Sequence, residues 1–425
     1  MIARIALLGM ALASAQAFAA KPNFLVVYTD DQAFDTIHAL GNPQIQTPNL
    51  DALVERGFTF TNAYCQGGQS PAVCVPSRTM FLTGRSTFRT PPYNAKTYDK
   101  PTLGGVFKNA GYATLCVSKP GNSFRPAHEA FEKVVHIPHV GAETNKKCAD
   151  AAIEYLKEGA AGKPFFIYYA PSMPHDPRTA EPEFHKLYDP AKIELPKNWM
   201  KEQPIDIGVR NIRDEKLAPY PRDEAEMKKQ LAEYYACITS LDHHLGRIFD
   251  ALKKAGTWEN TIVVFTSDQG LAVGGRHGHM GKQNLYEHFK SPLVVAGPGI
   301  PKGKSDALVY LYDLFPTLCD LSGTTTPKEC EGVSLVPVMK GEKKAVRDTL
   351  FAVYMDSQRM VRNDRWKLLW YPKIGMFQLF DLHNDPNELR NLADAPEQAE
   401  RLTTMKKLMA GEQTAFGDTK APKPQ

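Results

Sequence analysis

Three short apolar runs end in groups that could do chemistry. "NFLVVYT", residues 23–29, stops abruptly at Asp30 and Asp31. "FFIYYA" runs into "PSMPHDPR" and delivers His175, and "TIVVFTS" ends in Asp268 and Gln269. One acidic pair could be no more than a turn or a helix cap. Two pairs at equivalent ends of neighbouring strands make an all-oxygen set of three carboxylates and an amide. That set suits a hard cation, Ca²⁺ or Mg²⁺, rather than zinc. Without a cation, such carboxylates would repel one another and shift their pKa values. Arg78, Lys119 and Lys282 follow strands or Gly-rich turns. Each alone reads as surface charge. Together with a metal they would form a pocket for a tetrahedral oxyanion. Cys74 opens "CVPSRTMFLTGR". It could be a buried small hydrophobe, half of a disulfide, a metal ligand or the precursor of a catalyst.

These groups need a scaffold that brings strand ends together. "NFLVVYT" reads as a central strand buried on both faces. "TPNLDALVERG" reads as a helix, with Pro48 at its start and Gly57 past its end. "TLGGVFKNAG" before "YATLCVS", and "CADAAIEYLKEG" before "KPFFIYYA", repeat the helix-then-strand pattern. A long amphipathic helix covers roughly 223–254 and leads into "NTIVVFTSDQG"; "SPLVVAG" follows a loop. This alternation predicts an α/β fold with a mostly parallel sheet sandwiched by helices. Ligands of such sheets bind beyond the carboxyl ends of the strands. Residues 171–221, rich in proline and charge, read as an excursion over that face. From about 345 the pattern changes to antiparallel strands, a closing helix and a tail, "GDTKAPKPQ", expected to be disordered. The expected organisation is a leader at 1–20, a catalytic domain at 21–344 and a smaller α+β subdomain at 345–425.

The 425 residues suffice for a large core, and a net charge of +4 argues against a nucleic-acid binder. "MIARIALLGMALASAQAFAA" has the cation, apolar run and Ala-x-Ala end of a secretory signal peptide. A periplasmic or secreted protein is therefore expected, with no later membrane span. Seven cysteines in an exported chain leave at least one unpaired or chemically special. Cys319 and Cys330 are close enough in sequence to bridge, and the pairing is not readable.

"CVPSRTMFLTGR" resembles the signature of the formylglycine-dependent sulfatases of the alkaline phosphatase superfamily. The match covers Cys74, Pro76, Ser77, Arg78, Leu82, Thr83, Gly84 and Arg85. It continues through "PNFLVVYTDDQ", "TPNLDALVERGFTFTNAY", "KPFFIYYAPSMPH", "TIVVFTSDQG" and "GKQNLYE", in the same order along most of the chain. The resemblance implies an alkaline-phosphatase-like fold and hydrolysis of sulfate monoesters on a carbohydrate. It implies that Cys74 is oxidised to formylglycine by a formylglycine-generating or anaerobic sulfatase-maturating enzyme. Asp30, Asp31, Asp268 and Gln269 match the metal ligands, usually of Ca²⁺. Cys74, as the aldehyde hydrate, would be nucleophile and metal ligand, with Arg78 holding it. Lys119 and Lys282 match the sulfate-contacting lysines, and His175 the acid that protonates the leaving oxygen. His277 matches a histidine near the sulfate or substrate, and Arg276 and Arg178 are further substrate-contact candidates.

The hydrate explains why a cysteine is converted. On that resemblance, one hydroxyl would attack sulfur and displace the alcohol; the other would then be deprotonated, the aldehyde reform and sulfate leave, so one hard step becomes two easier ones. A thiol would form a linkage with no easy exit. One departure stands out. The family usually has a histidine two or three positions after the first lysine, where "SKPGN" has Gly121 and Asn122. That histidine is assigned to the release step, and His128 is the substitute that the sequence offers. Two alternatives remain: a phosphonate or phosphate monoester hydrolase on the same scaffold, and a non-catalytic sulfated-glycan binder.

Overall fold

The structure is a computed structural model that describes residues 21–424 except 93, 122, 123, 160, 161 and 209. The leader expected at 1–20 and the family position at Asn122 lie outside the described residues. The strands, in chain order, are β1 (Asn23–Thr29), β2 (Phe58–Tyr64), β3 (Gly67–Gly68), β4 (Ala113–Ser118) and β5 (Lys133–His136), followed by β6 (Phe165–Ala170), β7 (Thr261–Ser267), β8 (Lys290–Ser291), β9 (Leu293–Ala296) and β10 (Gly303–Tyr310). The C-terminal part adds β11 (Leu350–Tyr354), β12 (Gln358–Arg362), β13 (Trp366–Tyr371) and β14 (Met376–Asp381).

The large sheet runs β10-β2-β9-β7-β1-β6-β4-β5, with β8 on β2. β7, β1, β6, β4 and β5 are mutually parallel neighbours. Its centre is covered on both faces, as the apolar runs require. Phe24, Val26 and Tyr28 point into one core cluster, and Leu25 and Val27 into the other. β6 and β7 split in the same alternating way. Each such buried side chain is worth about 1.5–3 kcal/mol, so the register is strongly fixed. A slip by one residue would exchange the two clusters and move every strand-end group.

The helix Pro48–Arg56 has Pro at its first turn, and the helix Glu224–Lys254 is capped by the Asp223 side chain accepting from Glu226 N. Both match the expected helices closely. β2, β5 and β10 were not evident in the sequence. β2 follows its helix across the single residue Gly57, and three of its seven residues, Thr59, Thr61 and Asn62, are polar, which suits a loop.

The second sheet has the order β14-β13-β12-β11-β3 and is antiparallel from β11 to β14. β3 comes from the N-terminal part and pairs parallel with β11. The expected boundary near 345 therefore divides the sequence but not this sheet. The helix Ala399–Phe416 buries Met405 and Met409 against Phe351, Trp366 and Trp370. The tail departs from its expected disorder. Asp418 is buried and pairs with fully buried Arg359, and Gln413 Nε2 donates to Pro422 O at 3.3 Å. A buried guanidinium needs a carboxylate, and the tail supplies it. All seven cysteines are free thiols, so Cys319 and Cys330 are not bridged. No helix among the described residues is long and apolar enough to cross a membrane.

Candidate active site

Four adjacent parallel strands deliver the site. β7 ends at Asp268 and Gln269, β1 at Asp30 and Asp31, β4 at Lys119, and the chain after β6 reaches His175. Thr29 sits opposite Ser267, so Asp30–Asp31 and Asp268–Gln269 emerge side by side. Asp31 has φ 65°, a left-handed conformation that costs a non-glycine residue free energy. Its backbone is held there from both sides: Asp31 N donates to Asp268 Oδ1 at 2.9 Å, and Tyr234 OH donates to Asp31 O at 2.6 Å.

The signature forms the helix Cys74–Thr83, which ends at Gly84 in the left-handed region. A Cβ at Gly84 would lie 2.6 Å from Cys330 Sγ. Cys74, at the first turn, is buried. Its Sγ lies 3.0 Å from Lys282 Nζ, 3.2 Å from Gln269 Nε2 and 3.7 Å from Asp31 Oδ1. Ser77 Oγ donates to Asp268 O at 2.6 Å. Arg78, 1 % exposed, donates from Nε to Asp268 Oδ2 at 3.2 Å, from Nη2 to Thr29 O at 3.2 Å and from Nη1 to Tyr168 OH at 3.3 Å. Ser77 and Arg78 thus fasten the helix to the ends of β1 and β7.

The cations divide the carboxylates between them. Lys119 Nζ is 2.8 Å from Asp30 Oδ2, and Lys282 Nζ is 2.9 Å from both oxygens of Asp31. Burial opposes ionisation of Asp30, but Lys119, His175, Arg78 and Lys282 hold its carboxyl well below the usual range. Burial and the neighbouring Asp30 push Asp268 well above it, against Arg78. Burial, then Asp268 and Asp30, also push the Cys74 thiol well up, outweighing Lys282. An unmodified Cys74 is therefore a poor nucleophile.

His175 Nδ1 donates to Asp176 O at 2.6 Å, and its Nε2 is 3.7 Å from Asp31 Oδ2. One ligand atom from each of Asp30, Asp31, Cys74 and His175 falls within 4.8 Å of the others. The structure therefore brings Asp30, Asp31, Cys74, Arg78, Lys119, His175, Asp268, Gln269 and Lys282 into one cluster. A cation fits this oxygen set. Gln269 Oε1 is buried without a hydrogen-bond partner, while its Nε2 faces Asp31. Turning the amide over would present the oxygen instead. Asp268, forced up by burial and by its like-charged neighbour, would regain its charge beside a divalent ion.

Three expected substrate contacts lie elsewhere. His277, 1 % exposed, stacks on Tyr286 at 4.1 Å and contacts Glu287 Oε2 at 3.1 Å. Arg276 bridges Asp35 and Glu287. The buried Glu287 takes both groups, because an unpaired carboxylate there would be costly. Arg178 is nine-tenths buried over the Tyr234 ring, with Nη1 on Gln230. The side-chain contacts of these three are with Glu287, Asp35, Tyr286, Tyr234 and Gln230 rather than with the cluster. His128 is also misplaced for the release step. It is buried behind Ser118 and Tyr168, and burial, His136 and Arg78 push its pKa down to about 3.

Sequence reading missed two groups. His139, in the loop after β5, meets the His175 ring edge-to-face at 6.0 Å, with Nε2 3.0 Å from Pro177 O. Arg213, within the 171–221 excursion, grips Asp176 and Asp214. Asp176 was visible beside His175 in "PHDPR"; nothing local marked Arg213 or His139.

A family model described as Sulfatase matches residues 22–324. The chain belongs to the sulfatase family. A second model, the N-sulphoglucosamine sulphohydrolase C-terminal region, matches residues 275–415. This sulfatase is 26% identical to an arylsulfatase of Clostridium perfringens, covering 92% of the chain and 94% of that protein. It is also 26% identical to an N-acetylglucosamine-6-O-sulfatase of Bacteroides thetaiotaomicron, covering 94% and 87%. Among solved structures, it is similar to a protein in complex with its substrate D-glucosamine-2-N,6-O-disulfate, with TM-score 0.79, 22% identity and coverage of 94% and 99%. It is also similar to a phosphonate monoester hydrolase of Agrobacterium radiobacter, with TM-score 0.78, 21% identity and coverage of 93% and 96%. These two establish the alkaline-phosphatase-like fold. The family makes the protein a sulfuric ester hydrolase, of a kind that generally uses a metal ion and formylglycine.

Proposed function

We propose that this sulfatase removes O-sulfate from a carbohydrate, using formylglycine made from Cys74 and a Ca²⁺ ion. The observation that carries the reading is the convergence of Cys74, Lys282 and Asp31 within 3.7 Å at the carboxyl end of the sheet. Asp30, Asp31, Asp268 and Gln269 would hold the ion, and the converted Cys74 would face it. The ion would supply fixed positive charge for the sulfuryl oxygens, and formylglycine hydrate an oxygen nucleophile where the thiol is a poor one.

This chain's own residues do the rest. Lys119 and Lys282, held on Asp30 and Asp31, offer ammonium groups for the sulfate oxygens. His175 keeps its Nδ1 proton on Asp176 O, which aims Nε2 at the Asp31 side of the cluster. As the imidazolium, with Nε2 also protonated, it can give that proton to a leaving sugar oxygen. The carbohydrate assignment is supported by the N-acetylglucosamine-6-O-sulfatase relative and by the disulfated glucosamine bound to the structural neighbour. The leader-like N-terminus supports maturation during export and a periplasmic or secreted location.

The test is a screen of regiodefined sulfated mono- and oligosaccharides, with the protein co-expressed with a formylglycine-generating system. Matched phosphate and phosphonate esters run beside them. Turnover of a sugar sulfate is expected. Preference for the phosphonate ester would favour the other chemistry seen on this fold.

A further inference from the structure

The excursion from 171 to 221 contributes more than cover. Its 3₁₀ turn Asp214–Leu217 is preceded by Arg213, whose guanidinium joins two loops. Nη1 donates to Asp176 Oδ2 at 2.9 Å and Nη2 to Asp176 Oδ1 at 2.8 Å, a two-point grip. Nε donates to Asp214 Oδ1 at 2.8 Å. Nη2 also comes within 3.5 Å of His175 Nε2. Asp214 continues inward: its Oδ2 accepts from Gln283 Nε2 at 2.7 Å and lies 3.9 Å from Lys282 Nζ. Lys282 reaches both Cys74 and Asp31.

These contacts form a chain: His175, Asp176, Arg213, Asp214, Lys282, Cys74. Asp31 closes it into a ring, touching both His175 and Lys282. The side chain of Arg213 is 58% exposed, whereas those of Asp176 and Asp214 are 16% and 4%. Two carboxylates already neutralise Arg213, so a further anion on the substrate gains little from it. A planar fork held at three nitrogens is instead suited to fixing geometry.

We propose that Arg213 is a positioning residue that sets the separation of His175 from Cys74 by bridging Asp176 to Asp214. The proposal rests on the sulfatase reading and on His175 serving the leaving group. It gives the excursion a task in catalysis rather than in substrate contact alone. Misplacing a reacting group by about 1 Å can cost about 10²-fold in rate.

The experiment measures kcat and KM of Arg213→Ala, Arg213→Lys and Asp214→Asn on a sugar sulfate and on an activated aryl sulfate, with thermal midpoints alongside. Arg213→Ala is expected to lower kcat on the sugar sulfate by about 10²-fold, with KM little changed and a much smaller loss on the aryl sulfate. Arg213→Lys should recover part of the loss, because one ammonium cannot grip both carboxylates. In a His175→Ala background, Arg213→Ala should add almost nothing. Equal losses on both esters, a change in KM alone, or full additivity with His175→Ala would overturn the proposal. If Arg213→Ala fails to fold, Arg213→Lys and Asp214→Asn decide by the same criteria. Wild-type protein inactive on every sulfate ester would overturn the functional reading itself, and the proposal with it.

Discussion

Lys282 Nζ stands 3.0 Å from Cys74 Sγ and 2.9 Å from both oxygens of Asp31. Burial first, then Asp268 and Asp30, push the thiol pKa well up, and Lys282 only partly offsets them. Nothing in this arrangement makes sulfur the nucleophile. Peptide mass spectrometry of active enzyme should show thiol-to-aldehyde conversion at Cys74. Cys74→Ala should abolish turnover with little change in thermal midpoint, since it removes a small side chain. Full activity with an unmodified Cys74 would sink the mechanism.

Asp268 links the metal set to the signature helix, because the same carboxylate faces Arg78 and Asp31 N. Asp268→Ala should abolish metal binding and activity. It should also cost about 1.5–3 kcal/mol, since Arg78 loses one of the two buried carboxylates it faces and keeps Asp30 at 3.6 Å. Elemental analysis of active wild-type enzyme should find one Ca²⁺ per chain, and chelation should lower its thermal midpoint. Zinc, or no ion, in active protein would refute the assignment.

His175 is expected to matter in proportion to the need for a proton. A general acid is worth about 10²–10⁴ in rate, most for a poor leaving group. His175→Ala should therefore cripple sugar sulfate turnover and spare an aryl sulfate, whose phenolate leaves unaided. Equal losses on both would point to sulfate binding instead.

His128 carries a pH prediction. Burial first, then His136 and Arg78, lower its pKa from the ordinary 6.5 to about 3. The unfolded chain then binds a proton that the folded chain refuses between those values. Stability due to this group is complete above about pH 6.5 and is lost as pH falls towards 3, at about 1.4 kcal/mol per pH unit. His128→Gln, which cannot titrate, should flatten the dependence between pH 6 and 4 by about that slope. Parallel urea-denaturation curves for both proteins across that range would contradict it.

The strand ends were legible because each acidic pair interrupts a doubly buried apolar run, and period and burial fix where such a run stops. Asp30, Asp31, Asp268, Gln269 and His175 follow from that, and "CVPSRTMFLTGR" added Cys74 and Arg78. The surroundings of His277 and Arg276 were not legible. Their partner, Glu287, lies ten or eleven positions on, and only the folded chain shows that a buried carboxylate claims both. Arg213 and His139 were invisible because their partners are 37 and 36 residues away, and long-range contacts leave no local periodicity. The ordered tail was hidden in the same way, since the buried Arg359 that holds Asp418 lies 59 positions earlier.

The last prediction concerns "SKPGN". Gly121 has φ +74°, so placing histidine there would strain the turn even though a Cβ would meet nothing within 4 Å. His128 is too weak a base and lies behind Tyr168. His139, packed edge-to-face on the His175 ring at 6.0 Å, is offered as the base instead. Its Nε2–H donates to Pro177 O at 3.0 Å, which leaves Nδ1 as a proton acceptor. Burial lowers its pKa, which keeps that nitrogen unprotonated at neutral pH. A loop that reaches across from β5 is a less direct support than a residue two positions from Lys119. Alcohol release should therefore outrun sulfate release. Pre-steady-state kinetics on an activated aryl sulfate should show a burst of phenol, then slower turnover. His139→Ala should slow the second phase by about 10²-fold or more and leave the burst intact. A wild-type trace with no burst, where phenol departure is shown to be fast, would mean that sulfate release is not limiting. Loss of the burst in His139→Ala would place His139 with the leaving-group step instead.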